Sequence, residues 1–183
     1  MKRVLFIDLD DTLIHTSSDN LFPTFIGDMK FDTDVLESIA RLASTHGASG
    51  NKMLYVFIVS NQGGISAGFV DLHAFNVKIE FIAEAIRDYM RNRWIENVEV
   101  QFQFCTSNDK NDNMRKPNRG MFDMMRRTYL PTELVDDYNS MMMIGDASGK
   151  EGDYSDSDKV FAENCGIYYM DVNDFKNTYI WKE

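Results

Sequence analysis

Asp8 and Asp10 stand two residues apart at the end of the apolar run Val4-Leu5-Phe6-Ile7. In an extended chain such residues point the same way. Two carboxylates so placed can hold a divalent cation, and the carboxyl ends of strands are where open α/β sheets bind ligands. Three further places carry related chemistry. Ser60 and Asn61 follow the apolar run 53–59 with a hydroxyl and an amide, and Gly63 and Gly64 let backbone amides approach an anion. Asp146 follows the apolar run 141–144 and Gly145. Lys116 lies in the basic stretch Arg115-Lys116-Pro117-Asn118-Arg119-Gly120, at the mouth of an expected helix. Asp158 closes an acidic run over 153–158, in which Ser155 also suits a helix N-cap. Taken singly, each place reads equally as structure: an acidic turn, a capped loop, a solvated basic turn or a helix start.

The elements that must position these residues are visible in the spacing of apolar side chains. Val35, Leu36, Ile39, Leu42 and Ala43 predict a helix over 34–46, opened by an Asp34/Glu37 capping box and closed at Gly47, with His46 favourable to its dipole. A short connection follows over 47–51. Phe75, Ile79, Ile82, Ala83, Ile86 and Met90 predict a long amphipathic helix over 71–92. Val98, Val100, Phe102 and Phe104 alternate, which predicts a strand over 98–105 with Cys105 as a small buried hydrophobe. Pro117 suits the entry to a helix over 121–129. Strands are expected at 53–59, 141–144 and 167–170, and a helix running to 164 stops near Gly166. The stretch 14–31 reads as a loop folding back beside the site, with His15 solvated, and His73 reads as structural or exposed. Strands alternating with helices predict an α/β fold: a Rossmann-like, mainly parallel five-stranded sheet flanked by helices, in a single domain over 1–183.

Composition limits what such a fold does. The 183 residues suffice for one well-filled core, and 44% apolar with 26% charged residues is ordinary globular composition. The apolar runs are too short to span a bilayer, so no membrane partner is expected. Lys2 and Arg3 lead into only four apolar residues before Asp8, which is no signal peptide. Cys105 and Cys165 form neither a metal-ligand spacing nor a disulfide framework, and a reducing, cytoplasmic setting is expected. A net charge of -10 argues against a large nucleic-acid footprint while leaving room for a local basic rim. Gly145 to Lys150 superficially resembles a phosphate-binding P-loop. Three residues rather than four separate Gly145 from Gly149, and Glu151 stands where Ser or Thr is needed, so a nucleotide-driven kinase is not expected.

The ordered set Asp8-Leu9-Asp10-Asp11-Thr12, Ser60, Lys116 and Gly145-Asp146 resembles the haloacid dehalogenase superfamily of phosphohydrolases over nearly the whole chain. A narrower likeness, to the phosphatase domain of polynucleotide kinase 3'-phosphatases, rests on the stretches 60–65, 115–123, 145–150 and 153–164, and on Phe22-Pro23. Asp11 replaces the glycine many members have there, and no kinase half accompanies these motifs. The resemblance implies a Mg²⁺-dependent phosphatase acting on a nucleic-acid 3' end, as in DNA repair, with no obligate protein partner. It implies Asp8 as nucleophile, Asp10 as general acid and base, and Asp8, Asp10 (through its backbone carbonyl) and Asp146 about the metal. Ser60, Asn61 and Lys116 would bind phosphate, and Asp158, or less plausibly Asp153, would orient Lys116 or a metal-bound water. The alternative is a small-molecule phosphatase of the histidinol-phosphate or heptose-bisphosphate type. Several of those carry a Cys/His zinc loop, which this sequence lacks. The gaps 14–52 and 61–115 are filled by the expected loop, helices and strand and leave no room for a large cap domain, so the site should admit a polymer end. Arg115, Arg119, Arg126, Arg127 and Lys150 are the basic groups expected near its rim.

Overall fold

A computed structural model describes residues 3–48 and 52–179. Its centre is a five-stranded parallel sheet in the order β5-β4-β1-β6-β7, formed by β1 (Val4–Ile7), β4 (Leu54–Asn61), β5 (Val98–Cys105), β6 (Met141–Gly145) and β7 (Tyr168–Asp171). The order reverses at β1: the chain first builds outward through β4 and β5, then crosses back to β6 on the other side. That switch leaves a crevice at the carboxyl ends of the central strands, the usual ligand position in such sheets.

Helices cover both faces, which is why β1 reads as unbroken apolar sequence. Leu5 and Ile7 face a core completed by α1 (Thr33–Ala48), α3 (Leu72–Arg91) and α7 (Val172–Tyr179). Val4 and Phe6 face the opposite core, completed by α4 (Gly120–Tyr129) and α6 (Ser157–Cys165). Phe6 sits there among Phe57, Phe122 and Phe161, with ring centroids 5.4, 5.0 and 6.5 Å away. Short helices α2 (Gly63–Ser66) and α5 (Thr132–Val135) complete the connections.

The expected elements are present, and several boundaries move for local reasons. β4 runs two residues further than expected and includes Ser60 and Asn61, because β5 pairs with it as far as Cys105. The α3 boundaries hold, with Asp71 as N-cap accepting from the Ala74 amide at 2.8 Å. α1 starts one residue early. Its cap is Asp32, whose Oδ1 accepts from the amides of Asp34 and Val35, and the Asp34 capping box does not form. α1 also passes through Gly47; the side chain of His46 and the connection at 49–51 lie outside the described residues, as do residues 1–2. Pro117 precedes α4 by three residues rather than opening it. Asp156, rather than Ser155, takes the N-cap position of α6, and Gly166 ends that helix at φ 70°.

The stretch 14–31 is not a plain loop. β2 (Ile14–Thr16) and β3 (Met29–Phe31) form an antiparallel hairpin, whose tip 17–25 is held by Asp28. The Asp28 carboxylate accepts from Thr16, Ser17 and Asn20. His15 is half-buried, with Nε2 3.1 Å from Asp32 and Nδ1 3.5 Å from Asp11, and so is not free in solvent. α7 was not evident in the sequence. No further domain is inserted between β1 and β4 or between β4 and β5 among the described residues.

Candidate active site

Register brings the strand-end residues together. Ile7 pairs with Ile58 on one side and Ile144 on the other, so Asp8 stands level with Val59 and Gly145. Ser60 and Asp146 lie one residue further along the flanking strands. The Asp8 amide donates to Ile144 O at 2.9 Å and continues the ladder into the site.

Lys116 reaches this edge from the loop after β5. Its ammonium is 3% exposed as a residue and donates to Asp8 Oδ1 at 2.5 Å and Asp158 Oδ1 at 2.7 Å. Burial works to discharge it, but Asp158 and then Asp8 outweigh that and hold its pKa above the ordinary lysine value. The Asp158 carboxylate is placed by two further contacts. Its Oδ2 accepts from the Ala147 amide at 3.2 Å, and it lies against Gly145, where a Cβ would come within 2.1 Å of Oδ2. Glycine is required there by close approach rather than by an unusual backbone angle.

The geometry shows what three of the expected residues face. Asn61 does not face an open phosphate position: Nδ2 donates to Lys116 O at 2.9 Å and Oδ1 accepts from Lys116 N at 2.8 Å. It clasps the main chain that carries the lysine. The Asp10 carboxylate bonds to Gln62 and stands outside the Asp8 group, an arrangement that leaves its expected role as general acid and that of its backbone carbonyl as they were. Asp8, Asp146 and Asp158 instead offer one oxygen each within 4.8 Å of one another. Asp153 is remote from this cluster's work: Oδ2 accepts from Ser148 N, Ser148 Oγ and Lys150 N, which shapes the 148–153 turn.

Three groups are additions to the expected set. Gln62 Nε2 donates to both Asp10 Oδ2, at 2.7 Å, and Ser60 Oγ, at 2.8 Å. Thr12 donates to Asp146 Oδ1 at 3.2 Å. Lys78 is buried on α3, and its charge acts on Asp10. Gln62 and Thr12 sit inside the motif stretches; Lys78 had a signal too, a charge three residues after Phe75 on an otherwise apolar stripe.

Electrostatics single out the cluster. Burial first, then Asp158 and Asp146, push the Asp8 carboxyl up against the opposing pull of Lys116. Burial and Asp158 raise Asp146 to about 6. Burial raises Asp10 as well, with Lys78 and Gln62 opposing. Of the three clustered carboxylates, Asp8 and Asp158 pair with the Lys116 ammonium, and no ion pair to Asp146 is present among the described residues. The deficit of positive charge and the all-oxygen donor set fit a hard divalent cation such as Mg²⁺. A separate cavity of about 570 Å³ lies beside β7 and is lined by Ser148, Lys150, Lys159, Asp171 and Asp174; the carboxylate cluster does not line it.

The basic rim is thinner than expected. Arg126 is buried and tied to Asp123, Asp136 and Val135 O at the last turn of α4. A helix returning between parallel strands ends at their amino edge, so Arg126 and Arg127 are on the wrong side of the sheet. Lys150 is paired with Asp171 at 2.8 Å, and Arg115 donates to Ser107 O. Arg119 donates to Asn164 O.

Residues 3–175 match the family described as Polynucleotide kinase 3 phosphatase. The chain belongs to this family. It is a haloacid dehalogenase-type phosphatase, and relatives on both sides of the substrate question resemble it. A bifunctional polynucleotide phosphatase/kinase of Schizosaccharomyces pombe is 29% identical over 95% of this chain and 37% of its own length. A histidine biosynthesis bifunctional protein HisB of Legionella pneumophila is 28% identical over 100% of this chain and 44% of its own. The chain therefore spans less than half the length of these curated relatives. In fold it resembles D,D-heptose 1.7-bisphosphate phosphatase from B. bronchiseptica, solved with magnesium and phosphate. The TM-score is 0.58 at 19% identity, covering 97% of both chains. No helix among the described residues is long and apolar enough to cross a membrane.

Proposed function

We propose that this phosphatase removes 3'-phosphate from polynucleotide ends through an aspartyl-phosphate intermediate. The observation that carries the reading is the meeting of Asp8, Lys116 and Asp146 at one strand edge, with no inserted domain over it among the described residues, in a chain of this family.

Asp8 supplies the nucleophile: a carboxylate oxygen bonds to phosphorus as the bond from phosphorus to the 3'-oxygen breaks. Asp10 gives the leaving oxygen a proton. Gln62 donates to Asp10 Oδ2, so the proton belongs on Oδ1, which is buried and has no hydrogen-bond partner among the described residues. Water then attacks phosphorus and loses its proton to Asp10, which frees Asp8 and phosphate. Lys116 and Ser60 face the charge of the phosphoryl oxygens, and Asp158 holds Lys116 in place. Mg²⁺ held by Asp8, Asp146 and the Asp10 carbonyl would screen the repulsion between carboxylate and phosphate dianion.

With Arg126 and Lys150 committed elsewhere, the nucleic-acid footprint is two or three phosphates at most. For a single strand this gives a salt slope no steeper than about -2, at about 0.7 per phosphate. The HisB relatives and the heptose-bisphosphatase fold support a second reading, a small-molecule phosphatase. Phosphate release from 3'- and 5'-phosphorylated oligonucleotides, measured beside histidinol phosphate and a sugar bisphosphate, separates the two. A higher kcat/KM on either small substrate would replace the polynucleotide reading.

A further inference from the structure

Lys78 is a buried charge beside Asp10 that the chemistry above does not use. It is 1% exposed, on the face of α3 that otherwise carries Phe75, Ile79 and Ile82. Burying an ammonium on an apolar stripe is costly unless it is paired. Its ammonium donates to Pro23 O at 2.6 Å and lies 4.9 Å from the centre of the Phe75 ring. Burial lowers its pKa, and Asp10 and Asp28 oppose that, so both carboxylates lie within its field.

Pro23 is in the hairpin tip 17–25. That tip touches the neighbouring loop too: Phe22 meets Tyr154, from the loop after Asp146, edge-on with ring centroids 6.0 Å apart. The tip is therefore held between α3, beside Asp10, and the loop that follows Asp146 in the chain. Asp28 fixes its base through Thr16, Ser17 and Asn20, and the hydroxyl of Ser18 leads the hydrogen bonds that hold the Asp28 carboxyl below the usual range. Pro23 has no backbone N–H to donate, so its carbonyl is the group through which its main chain can be tied. Leu21 and Phe25 on either side are 65% and 57% exposed and offer the tip little packing of their own.

We propose that Lys78 is a positioning residue: its ammonium pins the tip 17–25 across the mouth of the site, so that a polymer end is held there while a small phosphomonoester needs no such hold. This rests on the polynucleotide reading, and the test separates the two. Lys78→Met and Lys78→Gln are compared with wild type on a 3'-phosphorylated oligonucleotide and on p-nitrophenyl phosphate. In parallel, chymotrypsin probes the tip at Leu21, Phe22 and Phe25, with cutting after exposed Phe69 as internal standard.

The expected result is a kcat/KM for the oligonucleotide that falls at least tenfold further than that for p-nitrophenyl phosphate, with the difference carried by KM, and tip cleavage at least tenfold faster relative to Phe69. Equal loss on both substrates, an unchanged tip, or failure of both variants to fold would overturn the proposal, since Lys78 would then serve the whole fold. Wild type that does not prefer the 3'-phosphorylated oligonucleotide would overturn the substrate reading instead, and the proteolysis arm would still decide whether Lys78 pins the tip.

Discussion

Gly145→Ala tests how the lysine is aimed. The new Cβ would lie 2.1 Å from Asp158 Oδ2 and 2.5 Å from its Cγ, so the carboxylate must move away from Lys116 and from the Ala147 amide. Overpacking of this kind costs about 1–3 kcal/mol. Asp158→Ala, which leaves a buried ammonium with one partner in place of two, should cost about 3–5 kcal/mol. The two costs should not add. Removing the carboxylate removes the 2.1 and 2.5 Å contacts, and only the 2.9 Å approach to the Asp158 Cβ persists. In the Asp158→Ala background, Gly145→Ala should therefore lose at least half of its cost. Urea unfolding of the wild type, both single variants and the double variant gives the coupling energy directly. The turnover of Gly145→Ala should fall as well, because Lys116 loses an anchor. Additive costs within about 0.3–0.5 kcal/mol would refute the reasoning and make Gly145 a backbone requirement unrelated to Asp158.

Asp8→Asn keeps an oxygen facing the Lys116 ammonium and should still fold, and it should lose turnover by about 10⁴-fold or more; substantial phosphate release would exclude Asp8 as nucleophile. Chelator should stop hydrolysis and added Mg²⁺ restore it. Mg²⁺ should also raise Tm, with about 2.7 kcal/mol of stabilisation at one hundred times its Kd, and Asp146→Ala should abolish most of that shift. A chelator-insensitive rate would remove the metal from the account. Asp32→Ala should cost about 0.5–2 kcal/mol at neutral pH through the lost α1 cap. Burial opposes the Asp32 charge, but hydrogen bonds from Lys176 and His15 outweigh it and hold the carboxyl below its ordinary value near 3.8. Its charge-linked stabilisation is therefore complete above 3.8 and lost as pH falls through the lower folded value. The gap between wild type and Asp32→Ala in denaturation should narrow at acid pH, and a constant gap would assign Asp32 a purely uncharged role.

The strands were legible because their signals are local: four apolar residues, then Asp; seven, then Ser; four, then Gly-Asp. α3 was legible to within a residue because its stripe is long and its cap is an Asp. The hairpin was hidden because β2 and β3 have only three residues each and their tip is held by one buried carboxylate. α7 is short and lies against α1, a contact that no local pattern announces. In the site, residue types fixed what could react but not what each side chain faces. Asn61 could serve a phosphate or a main chain, and only the approach of the 106–119 loop decides for the main chain. Lys78 falls on an apolar stripe, but nothing local names Pro23 O as the group its ammonium meets.

The aromatic box around Phe6 acts as an indexing pin. All four residues of β1 are apolar and both faces of the sheet are covered, so hydrophobicity alone hardly distinguishes one strand alignment from the next. Shape does. Only Phe6 fills the space between Phe57, Phe122 and Phe161. Sliding β1 by one residue would offer that space Leu5 or Ile7 and carry Asp8 about 3.3 Å along the sheet, out of reach of Lys116. A ring buried at the centre of one core thus also sets where the nucleophile stops.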